Sequence, residues 1–88
     1  MTAPLFHRET DDRYHGEIAR HGRFRVVACK DGLQWIVQRR KAGAGGRWVA
    51  LGYFRTRDAL LRLWTALDCP VGPDLAHLPR TFGGSAHG

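Results

Sequence analysis

The chain is poor in the residues that cross-link, ligate metals or span membranes. Its two cysteines, Cys29 and Cys69, form no Cys-x-x-Cys pair, and two are too few for a disulfide framework. The five histidines, His7, His15, His21, His77 and His87, fall in segments that read as arms and loops, without the His-x-x-x-His spacing of a metal site. No carboxylate pair sits in an apolar context that would retune it for acid–base work. Cys29 has Arg25 and Lys30 nearby, which would favour a thiolate, but a strand cysteine facing Gln34 reads as inert. Neither an enzyme, a cofactor, a metal nor a small-molecule substrate is expected. The N-terminus lacks an apolar signal core, and the longest apolar run, residues 48–54, is far too short to cross a bilayer. A reduced, cytoplasmic protein without a membrane partner is the expectation.

Acidic residues are scarce where basic ones crowd. Residues 20–62 hold eleven Lys or Arg and two acids, Asp31 and Asp58, whereas the flanks hold three basic residues and six acids. The net charge of +6 therefore understates the middle of the chain, which favours a polyanionic partner. Twelve of the fourteen cations are Arg, the residue suited to planar contact with phosphate or guanine. A GC-rich genome would explain the Arg/Lys ratio but not the clustering. At 88 residues the chain makes one small domain that buries only about 60% of its unfolded surface, too little for a deep catalytic cleft.

Residues 24–40, FRVVACKDGLQWIVQRR, read as a β-hairpin. Asp31-Gly32 between two β-rich runs predicts a two-residue type I′ turn, and that loop sets the register. Lys30 then lies opposite Leu33, Ala28 opposite Trp35, Val26 opposite Val37 and Phe24 opposite Arg39. Phe24, Val26, Ala28, Leu33, Trp35 and Val37 form the core face. The other face mixes Val27, Cys29 and Ile36 with Arg25, Gln34, Gln38 and Arg40. It is too apolar for a solvated surface and too polar for a core. It reads as a surface that meets a partner, or as a half-covered sheet with the N-terminal segment lying across it.

Around the hairpin, residues 1–13 read as a flexible N-terminal arm. Residues 14–79 read as the domain and residues 80–88 as a disordered Gly-rich tail. Residues 14–21 allow a short extra strand, with Gly22 as the break. Residues 41–46, KAGAGG, join strand to strand between basic shoulders and lack the Gly-Lys-Ser/Thr of a phosphate-binding loop. Residues 47–54 form a third strand, with Val49 and Leu51 inward, Trp48 and Ala50 outward, and a kink at Gly52 turning Phe54 to the core. Thr56 is an N-cap and Asp58 suits the first turn of a helix over residues 57–68. Leu60, Leu63, Trp64 and Leu67 give that helix one buried stripe, and Pro70 ends it. Residues 74–78 allow one more helical turn. The expected fold is α+β: a three-stranded antiparallel sheet packed on one α-helix, with the extra strand and the helical turn as additions.

The run VALGYFRTRD at residues 49–58, with three strands before it and a helix after it, resembles the ethylene-response-factor type of DNA-binding domain. The arm-binding domains of tyrosine-recombinase integrases share that architecture. Leu51, Gly52, Phe54 and Thr56 match a Leu-Gly-x-Phe-x-Thr segment typical of both. The resemblance covers residues 24–68 and departs from the pattern at Arg39, Ala50, Leu60 and Leu63. It implies a helix-free sheet face lying in the DNA major groove, carried here by Arg25, Gln34, Gln38, Arg40 and Trp48.

Two functional expectations follow. In the first, the protein is a small basic nucleic-acid-binding module. Arg23, Arg40, Lys41, Arg47 and Arg55 neutralise phosphates, Gln34 and Gln38 read adenine edges, and Arg25 and Trp48 complete the surface. In the second it is a phage or mobile-element accessory protein, a protein-interaction module, inhibitor or homodimer using the strip Val27, Cys29, Ile36 and Trp48 on the same face.

Overall fold

The computed structural model describes residues 9–12, 14–43 and 46–83. Residues 1–8, 13, 44–45 and 84–88 fall outside the described residues, and with them most of the expected N-terminal arm, the middle of the Gly-rich loop and the end of the expected tail. The fold is α+β. Four strands, β1 (Glu17–His21), β2 (Phe24–Ala28), β3 (Trp35–Arg40) and β4 (Trp48–Phe54), form one antiparallel sheet in chain order. Two helices follow, α1 (Arg57–Ala66) and the single turn α2 (Pro73–Ala76). The fourth strand is the short addition allowed at residues 14–21: β1 pairs with β2 across the Gly22 break.

The β2–β3 register is the expected one, from Phe24 opposite Arg39 to Ala28 opposite Trp35. The turn is a different one. Gly32 N–H donates to the Cys29 carbonyl at 3.0 Å, so Lys30 and Asp31 are the central residues. Gly32 alone takes the left-handed conformation, at φ 69°, whereas Asp31 does not. Cys29 N–H closes the loop on the Gln34 carbonyl at 2.8 Å. Leu33 is carried out into solvent by this wider loop rather than into the core.

The helix side of the sheet holds the main core: Val26, Trp35, Val37, Leu60, Trp64, Cys69 and Leu75, with Phe24, Phe54, Leu63 and Leu67 packed against them. Each fully buried large apolar side chain contributes on the order of 1.5–3 kcal/mol. Thr56 caps α1 by accepting the Ala59 N–H at 3.3 Å. The helix ends at Ala66, two residues before the expected end. Asp68 takes a left-handed conformation at φ 63°. Its N–H reaches the Thr65 carbonyl, and Cys69 N–H reaches the Trp64 carbonyl, the paired bonds of a Schellman cap.

β4 carries a bulge. Gly52 pairs with Val37 and Ala50 with Gln38, leaving Leu51 as the extra residue. Leu51 is therefore exposed, not inward as expected, and Val49 is half-buried. A Cβ on Gly52 would sit 2.7 Å from the Phe54 ring, so glycine here makes room for that ring.

Residues 80–82, expected in the tail, are docked. Arg57 N–H donates to the Arg80 carbonyl and Phe82 N–H to the Arg55 carbonyl. The Phe82 ring meets Trp35 edge-on at 5.1 Å.

Candidate functional site

The helix-free face was expected either to meet a partner or to lie under the N-terminal segment, and the second arrangement is the one found. It is covered by the chain itself. Residues 9–12 and Tyr14 lie across it, and Val27 and Ile36 pack with Tyr14 into a second core flanked by Cys29. Tyr14 donates its hydroxyl to the Ala28 carbonyl at 2.6 Å. Gly16 permits this, since a Cβ there would sit 2.6 Å from the Tyr14 ring.

Arg25 is the centre of the cover and is 0% exposed. Its Nε donates to Gln38 Oε1 at 2.7 Å. Nη1 reaches Glu17 Oε1 at 3.1 Å and the Asp12 carbonyl at 3.3 Å, and Nη2 reaches the carbonyls of Glu9 and Asp11 at 2.8 and 2.9 Å. A guanidinium has five N–H donors, and these five acceptors match them. Gln38 gives its own Nε2–H to the Glu9 carbonyl at 2.9 Å. Burial pulls the Arg25 pKa down, and the Glu17 hydrogen bond works against that pull.

Trp48 is also inside. Its indole N–H donates to Asp12 Oδ1 at 3.0 Å, and its backbone N–H to the Thr10 carbonyl at 3.1 Å. The guanidinium carbons of Arg25 and Arg20 stand 4.3 and 4.9 Å from its ring centroid, within cation–π range. Arg20 also pairs with Glu17 and Asp12. The Trp48 hydrogen bond, first of several causes, holds the Asp12 carboxyl below its ordinary value. For Glu17, burial pushes the pKa up, but hydrogen bonds and charge from Arg20 and Arg25 outweigh it, and the net shift is down.

The expected site therefore divides. Arg25, Gln38, Trp48, Val27 and Ile36 are internal, with Cys29 half-buried beside them, and they offer no surface to a partner while residues 9–12 and Tyr14 stay in place. Gln34 is half-buried. Arg23, Arg40, Lys41, Arg47 and Arg55 are exposed. The first four of these gather at one end of the sheet. Arg40 N–H donates to the Arg23 carbonyl at 2.7 Å, and Lys41 N–H to the Arg47 carbonyl at 2.8 Å. Arg39, absent from the expected set, is exposed at the same end, opposite Phe24 and Val49. Hairpin register could have found it, because Arg39 and Arg40 leave the sheet together on opposite faces. Asp12 is close enough to this end to feel the Arg40 charge. Arg55 lies beyond the other end of β4.

Among the described residues no group of three or more His, Cys, Asp or Glu could hold a metal ion, and no helix is long and apolar enough to cross a membrane. No family model, no curated protein and no solved structure matches this chain at a significant level.

Proposed function

We propose that the protein is a small nucleic-acid-binding module whose phosphate contacts come from the end of the sheet, not from its helix-free face. One observation carries the reading: Arg23, Arg39, Arg40, Lys41 and Arg47 are all exposed where β2, β3 and β4 meet the β1–β2 turn and the β3–β4 loop. Five cations brought together at one end make an electrostatic footprint for a run of phosphates. The ion pairs of Arg20 with Asp12 and Glu17, and of Arg25 with Glu17, engage none of these five end cations. The internal location of Arg25, Gln38 and Trp48 removes three of the five side chains that a sheet inserted in the major groove would present.

Fluorescence anisotropy with labelled DNA across a salt series tests the reading. Five contacts predict that log K falls with log salt at a slope of about −3.5 for a single strand or −4.5 for a duplex. Arg40→Ala with Arg47→Ala lowers that slope in magnitude by about 1.4 to 1.8. Absence of salt-sensitive binding at low ionic strength sinks the proposal.

A further inference from the structure

We infer that the nucleic acid is single-stranded and runs along β4, with one base stacked on Tyr53. The inference rests on the nucleic-acid reading above and narrows it to a ligand form and a contact residue. Its first support is the lack of any groove-reading element among the described residues. The helix-free face is occupied by residues 9–12 and Tyr14, and the exposed positions of α1 are Asp58, Arg62, Thr65 and Ala66, one cation against one acid. A duplex would meet no basic helix or bare sheet.

The second support is what β4 presents. All three tryptophans are buried, whereas Tyr53 is 59% exposed. It lies opposite Ile36 on the helix-free face, and the next residue of β4 on that face is Ala50, also exposed and small enough to leave a flat approach to the ring. Exposed aromatics beside a cationic track are how proteins hold single strands without reading their sequence. Arg47 precedes this strand and Arg55 follows Phe54. At about 3.3 Å per residue the two stand roughly 25 Å apart, room for the shortest single-strand sites, about 4 nucleotides.

The third support is the edge itself. Cys29 N–H bonds the Gln34 carbonyl, and Arg40 N–H bonds the Arg23 carbonyl. Even-numbered residues of β3 therefore bond toward β2, and by alternation their partners on β4 turn their backbone groups outward. Trp48 shows this, meeting Thr10 on the outer edge. Ala50 and Tyr53 are the following outward positions, opposite Gln38 and Ile36, and they offer N–H and C=O groups to base edges beside the stacking ring.

The test compares a fluorescein-labelled twelve-thymidine strand with a twelve-pair duplex at low ionic strength, on the full chain. The strand is expected to bind more tightly. Tyr53→Ala should weaken strand binding roughly fivefold or more, and Tyr53→Phe should hold it within about twofold, because the stacking face remains. Duplex binding should be indifferent to both changes. Unfolding midpoints of the variants confirm that the fold is kept, as expected for a side chain this exposed. Tighter duplex binding, an unchanged strand affinity in Tyr53→Ala, or equal competition by polyglutamate overturns the inference while leaving cationic binding intact. Failure of both probes to bind overturns the nucleic-acid reading as well.

Discussion

The Nε of Arg25 meets Oε1 of Gln38 at 2.7 Å in a part of the sheet that water does not reach. The pair sits on adjacent strands in register, and the Glu9 carbonyl accepts from both side chains. One polar cluster thus ties β2 and β3 to the segment that crosses them. Loss of the guanidinium would strand several buried acceptors and leave a cavity. Arg25→Ala is expected to cost about 3–5 kcal/mol, a large share of the 5–15 kcal/mol typical of a whole domain. Arg25→Lys should rescue little, since an ammonium has three donors where five acceptors converge. Urea unfolding curves measure both.

Acid should loosen the same cluster. Asp12 and Glu17 have pKa values lowered by folding, through the Trp48 hydrogen bond and through Arg20 and Arg25 respectively. A carboxyl whose folded pKa lies below its unfolded one stabilises the fold above the unfolded value, and that stability is lost as pH falls through the folded value. Stability should therefore hold above the ordinary carboxylate range of about 4 and decline below it. Asp12→Asn should flatten part of that decline, which thermal melts across an acidic pH series would show. An unchanged pH profile in Asp12→Asn would contradict the role given to the Trp48 bond.

Two glycine-related positions bear on stability alone. Gly52→Ala would push a Cβ to 2.7 Å from the Phe54 ring and is expected to destabilise by about 1–3 kcal/mol, the usual cost of overpacking. Asp68 occupies the left-handed C-terminal cap of α1. Asp68→Gly is expected to stabilise by roughly 1 kcal/mol by relieving the side-chain penalty of that conformation. Denaturant midpoints with unchanged m-values would confirm both signs.

How far the sequence carried these features depends on the range of the interaction. The β2–β3 register was legible because it depends only on which residues pair, and the wider turn keeps the same pairing as the two-residue one. The turn type was not, because only Gly32 needed the left-handed conformation. The bulge at Leu51 has no local signature, although Gly52 before Phe54 hinted at a close approach. The cover over the helix-free face left a readable trace: an acidic segment, Glu9-Thr10-Asp11-Asp12, in a chain whose sheet carries Arg25 and Gln38. Composition put acid and base in the same molecule, and only the tertiary fold brought the carbonyls of residues 9, 11 and 12 onto one guanidinium. Phe82 was missed because its glycine-rich surroundings masked an aromatic that reaches Trp35.

The covering segment should also control tryptophan exposure. Removal of residues 1–14 takes the carbonyls of Glu9, Asp11 and Asp12 from Arg25, both hydrogen-bond partners from Trp48 and the Tyr14 ring from Val27 and Ile36, so acrylamide quenching of tryptophan fluorescence should rise and the thermal midpoint should fall. Exposure of Val27 and Ile36 should promote self-association, visible by size-exclusion chromatography as the concentration is raised. Unaltered quenching after the deletion would place Trp48 in a different environment from the one described.

The most direct measurement is a two-dimensional NMR titration of the nitrogen-labelled chain with single-stranded DNA, following the Trp48 indole resonance beside the backbone amides. With residues 9–12 and Tyr14 kept in place and the ligand held at the end and edge of the sheet, amides of Arg23, Arg39, Arg40, Lys41, Arg47 and Tyr53 shift while the Trp48 indole N–H, bonded to Asp12, stays where it is. Large shifts or loss of the Trp48 indole signal, with the end amides unmoved, would mean that the covered face opens to take the ligand.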